Sequence, residues 1–477
     1  MNEYLRCAHA AVDLLARYAS DSRDGVGPVT SRPDPDALAA ELELGRWIRQ
    51  GGMDETAFAA WLPRYLGATV RLHHPGSLAH QVAAPSDGAA LADLIHGVTN
   101  NPMARYEMGA GAAVVEREVV SWMLDKVGFG ADAGGGVLTH GGSIANLTAL
   151  LAARARVAPD AWVAGVPSDL ALLAPRSVHY SIKRAAAILG LGEQAVIELE
   201  SDDLERVRPD RLHSALGRCV QAGRRPLALV ATAPATSTGL HDDLRPIAEF
   251  CATHGIWLHV DAAHGGSALL SAHDRKLLDG IEDADSVIWD AHKMLRTSAL
   301  CAAVLVARES DLPAAFRQEA SYMFDDRETV GFDLVDRALE TTKAALGTKL
   351  FLSLAWAGEH GLGEYVSSRY ELTRRFYDGL CEEPGITCPY VPESNILCFR
   401  VDGHDQLDLR EQVLDGGQLH ISSTTIDGRQ YLRLVVTAPT TSDDTVGQLI
   451  EALREARGRT AVIRTPRPAP AAARRSS

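Results

Sequence analysis

At 477 residues the chain is longer than one small core needs, so a large domain with a smaller companion is expected. Hydrophobic residues make up 46% and charged residues 23%, the balance of an ordinary globular protein. A net charge of −15, with no clustered Lys and Arg to neutralise phosphates, argues against a nucleic-acid partner.

Leu5, Ala8, Val12, Leu15 and Ala19 recur at helical spacing and predict an opening amphipathic helix. Residues 21–36 are polar and rich in Pro and Gly, so a loop is expected there, followed by a mostly helical segment to about residue 130. From about 134 to 310 short β-rich runs appear. They are LALLAP (170–175), AVIELE (195–200), PLALVATA (226–233), IWLHVDAA (256–263), SVIWDAH (286–292) and CAAVLVAR (301–308). Helical stretches such as Asp243 to His254 separate most of them, which predicts a largely parallel sheet buried on both faces. The last two runs are too close for a crossover helix, so one antiparallel edge is expected. After about residue 350 a separate α+β unit is predicted, with strands at 395–401 and 431–438 and a helix from Asp444 to about Arg457. The final stretch is dominated by Pro, Ala, Arg and Ser and reads as a disordered tail.

The N-terminus lacks a basic region followed by a continuous apolar run, and no stretch reaches the roughly 20 apolar residues of a membrane helix. The seven cysteines are odd in number, widely spread and form no CxxC pair, which fits a reducing compartment. A cytoplasmic protein without a metal centre or membrane partner is the expectation.

Four short segments carry chemistry. In WDAHKML (289–295) a β-run ends at a His-Lys pair, placing Lys293 at a sheet edge where α/β proteins bind ligands. A lysine there forms a Schiff base if its amine is partly desolvated; most strand-end lysines are merely solvated. HVDAAHGG (259–266) places Asp261 at the end of an apolar run, 32 residues before Lys293. A carboxylate so placed needs a cation, and a pyridinium nitrogen is one candidate beside a plain cap or ion pair. THGGSIANLTALLAAR (139–154) is a glycine turn into a helix N-terminus, where free N–H groups favour a phosphate, although an ordinary helix start looks the same. In SVHYSIKRAAAILGLG (177–192), His179 follows an apolar run and precedes a helix; it suits stacking on an aromatic cofactor or simple core packing.

Taken in order, GGSIANLTAL, SVHYSIKRA, TAPATSTG, WLHVDAAHGG and SVIWDAHKM resemble the signature set of the pyridoxal-phosphate (PLP) dependent group II amino-acid decarboxylases, over roughly residues 70–455. The resemblance implies an α/β fold of PLP fold-type I, aspartate aminotransferase-like, with a largely parallel seven-stranded large domain. It also implies a homodimer with shared active sites. The corresponding division is a dimer-wrapping helical segment at 1–95, a PLP-binding domain at 96–350, a small α+β domain at 351–457 and a tail at 458–477.

The same resemblance makes Lys293 the Schiff-base lysine, Asp261 the pyridine-nitrogen partner, His179 the ring-stacking histidine and Ala263 the residue on the opposite face. Thr236 falls near the cofactor hydroxyl and substrate carboxylate. Gly142, Ser143 and Ile144, with Ser286 and His292, fall at phosphate-contacting positions. His80, Gln81 and Phe332 match substrate-pocket positions, and Arg433 matches an arginine that takes the substrate carboxylate. The implied activity is α-decarboxylation of an L-amino acid or an amino-acid-derived metabolite.

Two departures stand out. Relatives commonly have Asn-Pro-His-Lys where this chain has Asp290-Ala291-His292-Lys293, and a carboxylate repels a phosphate, so Asp290 is not counted as a phosphate ligand. In relatives a loop tyrosine supports protonation at Cα. Here residues 321–336 carry Tyr322 only at their start, with Val330 or Phe332 in the expected region. Family members without that tyrosine resemble aldehyde synthases, which couple decarboxylation to oxidative deamination and release ammonia and peroxide; that is the alternative reading. A catalytically inert scaffold ranks behind both, because Lys293, Asp261 and His179 are all present.

Overall fold

The computed structural model describes residues 3–316 and 331–459. Twelve strands are present among them: β1 (Ser77–Leu78), β2 (Gly135–Thr139), β3 (Leu170–Pro175), β4 (Val196–Leu199), β5 (Arg225–Thr232), β6 (Trp257–Asp261), β7 (Ser286–Asp290), β8 (Ala302–Val306), β9 (Ile386–Thr387), β10 (Ile396–Val401), β11 (His420–Ile426) and β12 (Arg429–Val435).

Seven of them form one sheet in the order β2-β8-β7-β6-β5-β3-β4. β7, β6, β5, β3 and β4 pair in parallel. Their apolar runs are buried on both faces, as a parallel sheet between helix layers requires: every residue of β3, β6 and β7 is buried. β8 is antiparallel to β7, as expected, but it is not the edge. β2 pairs outside it, again antiparallel, and so runs in the same direction as β7.

β2 is glycine-rich and its outer backbone has no strand neighbour, which leaves donors and acceptors to be satisfied another way. Side chains do it. Glu116, from the helix Ala110–Val127, accepts from the Leu138 N–H at 3.1 Å, and Lys343 donates to the Leu138 carbonyl at 2.6 Å. Glu116 and Lys343 are fully buried and hydrogen-bonded to each other, so neither charge is left alone.

The second sheet has the order β1-β11-β12-β10-β9, with β1 parallel to β11 and the other pairs antiparallel. It draws β1 from the N-terminal segment. The chain approaches so closely there that a Cβ on Gly76 would collide with the Gln418 carbonyl. A long helix, Leu346–Glu382, joins the sheets and kinks at Gly358, where φ is 68°. Leu350, Leu362 and Val366 pack into the core of the seven-stranded sheet, whereas Leu372, Phe376 and Leu380 pack into that of the five-stranded one.

The opening helix runs Glu3–Arg23 and the last runs Asp443–Arg459. Among the described residues no helix is long and apolar enough to cross a membrane, and no metal-binding cluster occurs. The tail expected at 458–477 lies almost wholly outside the described residues.

Candidate active site

The C-terminal ends of β2, β7, β6, β5 and β3 lie on one side of the sheet, where an α/β fold opens its ligand crevice. A cavity of about 350 Å³ occupies that position. Each wall comes from the turn after a strand. His140, Gly141, Gly142 and Ser143 follow β2; His179 follows β3; Pro234 and Thr236 follow β5; Ala263 and His264 follow β6; His292 and Lys293 follow β7.

The floor is Asp261, at the last position of β6. Its Oδ2 accepts from Asn146 Nδ2 at 3.1 Å and its Oδ1 from the Ala263 N–H at 3.3 Å. Ala262 and Ala263 keep the chain thin beyond it, which leaves room for a flat ring. His179 caps the helix Tyr180–Ile188, its Nδ1 bonded to Ser181 Oγ at 2.7 Å and receiving the Ser181 N–H at 3.3 Å. Burial pushes the His179 imidazole below its ordinary range, offset in part by the Asp261 carboxylate.

The helix Gly142–Val157 starts at Gly141, whose φ of 99° a side chain would resist, and no side chain caps it. Its first N–H groups are therefore offered to the cavity, a ready anion site. Beside this helix start Lys293 Nζ lies 3.2 Å from Asp290 Oδ2, and His292 Nε2 lies 3.6 Å from the same oxygen. Asp290 also abuts the glycine turn, since a Cβ on Gly142 would sit 2.9 Å from its Oδ2.

Several buried polar atoms here lack a protein partner: Asp290 Oδ1, His264 Nδ1 and Gln81 Nε2. His264 is decided by its neighbour. Asn395 donates its amide to the Val436 carbonyl and Met294 Sδ, so its Oδ1 faces His264 Nε2 at 2.7 Å and must receive a proton from it. That leaves His264 Nδ1 as a bare acceptor. Burial holds its pKa down to about 3, so it stays neutral.

Of the residues singled out in the sequence, Gln81, Gly142, Ser143, His179, Thr236, Asp261, Ala263, His292 and Lys293 line this one cavity. Five do not. Ser286 is the first residue of β7, at the far end of the strand from Lys293; its hydroxyl is bonded to Trp257 Nε1 and His259 Nδ1, both at 2.8 Å, so it is no phosphate contact. Ile144 follows Ser143 into the helix and does not line the cavity. Phe332 packs on the Tyr106 ring at 5.6 Å and beneath Arg117, so it is not part of the substrate pocket of its own chain. His80 is exposed and stands edge-on to His420.

Arg433 lies in a neighbouring cleft that shares His179 and Thr236 with the cavity. It is buried, with Nη1 on Ser422 Oγ and the Ala79 carbonyl at 3.3 Å, while Nε and Nη2 have no partner. Tyr322 and Val330 lie outside the described residues. Sequence reasoning missed Asn146, Thr232, His140 and His259. The signal for His259 was its place two residues before Asp261 on a strand, which puts both on one face.

A largely parallel sheet whose strand ends gather a lysine, a buried carboxylate, a histidine and a glycine-led helix start has the arrangement of a fold-type I PLP protein. Residues 64–402 match the pyridoxal-dependent decarboxylase conserved domain, and the chain belongs to that family, whose cofactor is pyridoxal phosphate. It is 35% identical to the mouse acidic amino acid decarboxylase GADL1 over 76% of this chain and 66% of that protein. It is 31% identical to an L-2,4-diaminobutyrate decarboxylase of Rhizobium meliloti (strain 1021), over 80% of this chain and 78% of the relative. A crystal structure of mouse CSAD superposes with a TM-score of 0.87 at 26% identity, covering 94% of this chain and 98% of the other.

Proposed function

We propose that this chain is a PLP-dependent α-decarboxylase of a small polar L-amino acid, with Lys293 as the Schiff-base lysine. One observation carries the reading: Lys293 Nζ, the Asp261 carboxylate, the His179 ring and an uncapped helix start meet in a single cavity of about 350 Å³. The cavity fits the cofactor by its chemistry. It offers an acceptor for a ring N–H, an amine for the aldehyde carbon and free backbone donors for a phosphate.

When bound, pyridoxal phosphate supplies an electron sink for the pair left at Cα as CO₂ departs. The protein's own residues do the rest. The Asp261 carboxylate would accept a hydrogen bond from the ring nitrogen and favour positive charge there. His179 and Ala263, both in the cavity wall, would hold the ring between them. Lys293 Nζ lies 3.2 Å from Asp290 Oδ2, and this ion pair holds the side-chain nitrogen inside the cavity. Asp290 itself sits against the phosphate end, where the helix start and Lys293 offset its charge.

Substrate class follows from the unpartnered groups. Arg433, with two free nitrogens beside His179 and Thr236, suits a carboxylate. The His264 Nδ1 acceptor and the Gln81 Nε2 donor suit a short polar side chain and disfavour an aromatic one, which leaves both groups unsatisfied. The family resemblance supports a homodimer, in which the N-terminal helices contact the partner.

The test is a panel of L-amino acids, from glutamate, aspartate, cysteine sulfinate and 2,4-diaminobutyrate to tryptophan, scored for CO₂, amine, aldehyde and O₂ uptake. Amine and CO₂ in equal amounts from a short polar substrate, with no O₂ consumed, is the expected result. Aldehyde with ammonia and peroxide moves the reading to the oxidative form. No CO₂ from any member, with PLP bound, removes the decarboxylase reading.

A further inference from the structure

Beneath the cavity floor lies a run of buried polar groups: Trp257 Nε1 to Ser286 Oγ at 2.8 Å, Ser286 Oγ to His259 Nδ1 at 2.8 Å and His259 Nε2 to Asn146 Oδ1 at 2.8 Å. Asn146 Nδ2 then reaches Asp261 Oδ2 at 3.1 Å and Ser181 Oγ at 2.9 Å, and Ser181 Oγ reaches His179 Nδ1 at 2.7 Å. Hydroxyl, imidazole and amide groups can each be turned two ways, but the ends of this run cannot. An indole N–H only donates and a carboxylate only accepts.

With both ends fixed, every proton between them is fixed. Asn146 must present its NH₂ to Asp261, so its carbonyl oxygen faces His259 and His259 carries its proton on Nε2. His259 Nδ1 is then an acceptor, filled by the Ser286 hydroxyl, which in turn accepts from Trp257. The second Asn146 N–H goes to Ser181 Oγ, so the Ser181 hydroxyl proton goes to His179 Nδ1, joined there by the Ser181 N–H. His179 is thereby left with its own proton on Nε2.

We propose that His259 is a positioning residue that, through Asn146, secures the donor set on Asp261 and adds to the Ser181 N–H in holding the tautomer of His179. Of the run, Asn146, Asp261 and His179 line the cavity, whereas Trp257, Ser286, His259 and Ser181 do not. The run is anchored outside by Arg156, whose guanidinium lies 4.3 Å over the Trp257 ring. Burial holds His259 near a pKa of about 4, so it stays neutral and the direction does not reverse at working pH. The charged groups that face His179 are Asp261, Lys293, Asp290 and Arg184, with Asp261 and Asp290 opposing Lys293 and Arg184.

The role of the run in catalysis rests on the placement of PLP against Asp261; its effect on His179 does not. The test therefore uses two readouts on the full chain. With ¹⁵N-labelled histidine, long-range proton–nitrogen correlation spectra report the His179 tautomer without and with PLP, the signal being assigned through H179Q. The visible absorption band of the PLP-loaded protein is titrated with pH in parallel.

The wild-type chain is expected to show the Nε2–H tautomer of His179 from about pH 6 to 8 even without PLP. His259→Leu should give mixed tautomers and move the pH titration of the band by about one unit. His259→Gln, which keeps one donor and one acceptor, should restore both signals towards wild type. Ser286→Ala removes a single oxygen with little change in volume and carries the same test if His259→Leu does not fold. Pure Nε2–H tautomer and an unshifted band in His259→Leu, or in Ser286→Ala where His259→Leu does not fold, overturn the proposal. A changed tautomer with no PLP bound by the wild type upholds the effect on His179 and rejects only the cofactor placement.

Discussion

The two ends of the cavity are built on opposite principles. Around Asp261 and His179 every buried donor meets an acceptor in a continuous run from Trp257 to the floor, and nothing is left to reorganise. Around Lys293, Asp290, His264 and Gln81, polar atoms are buried without partners. Unpaired buried polar groups cost about 1–3 kcal/mol each, so a native fold keeps them only where something else completes them. On the proposed function the closed end would orient the ring and the open end would receive the reactants, so that preorganisation and turnover share one pocket.

Removing the amine from the open end should have the largest effect. Lys293→Ala is expected to lower CO₂ release by at least about a thousandfold and to abolish the visible band that persists through dialysis, because no other nitrogen can replace Nζ. Activity within tenfold of wild type would sink the assignment of Lys293. Breaking the closed end comes next. Asp261→Asn keeps the shape but turns an acceptor-only group into an amide that can donate to Asn146 wrongly, and kcat should fall by about 10²–10³ with little change in KM.

A smaller effect sharpens the contrast. His264→Leu removes a buried acceptor that has no partner among the described residues, and on the proposed substrate reading KM for the preferred substrate should rise about tenfold while kcat holds. A pure loss of kcat instead would place His264 in the chemistry rather than in substrate recognition.

Both ends also leave a mark on stability. His259 and His264 are held at pKa values of about 4 and about 3, below the ordinary 6.5. The unfolded chain binds these protons below pH 6.5 whereas the folded one does not, so their contribution is complete above pH 6.5. It is lost as pH falls towards 4 and 3, by about 1.4 kcal/mol per pH unit for each histidine. Denaturant unfolding at pH 7 and pH 5 should show this slope, and His264→Leu should flatten it by one proton's worth.

Strands made of unbroken apolar runs, such as LALLAP and SVIWD, are plain in the sequence because burial on both faces leaves no room for polar residues. β2 is not, since Gly135 and Gly136 have low strand preference and its stability comes from Glu116 and Lys343, distant in sequence. β11, HISSTTI, hides for a related reason: its half-exposed Ser and Thr residues read as loop. At the site, residues just after strand ends were legible because the fold sends every such turn to one crevice. Ser286 misled because a motif fixes order along a strand but not which end faces the cofactor. Asn146 escaped because a lone amide inside an apolar helix carries no marker until the partners on β6 and after β3 are seen beside it.

The tight pass of Gly76 over Gln418 has an effect at long range. That seam fastens the last part of the N-terminal segment to the smaller sheet, and Gln81 enters the cavity only a few residues later. A single added methyl group at position 76 would lever that edge outward and draw an amide away from the cavity, so a buried glycine outside the cavity lining holds the pocket's rim in place.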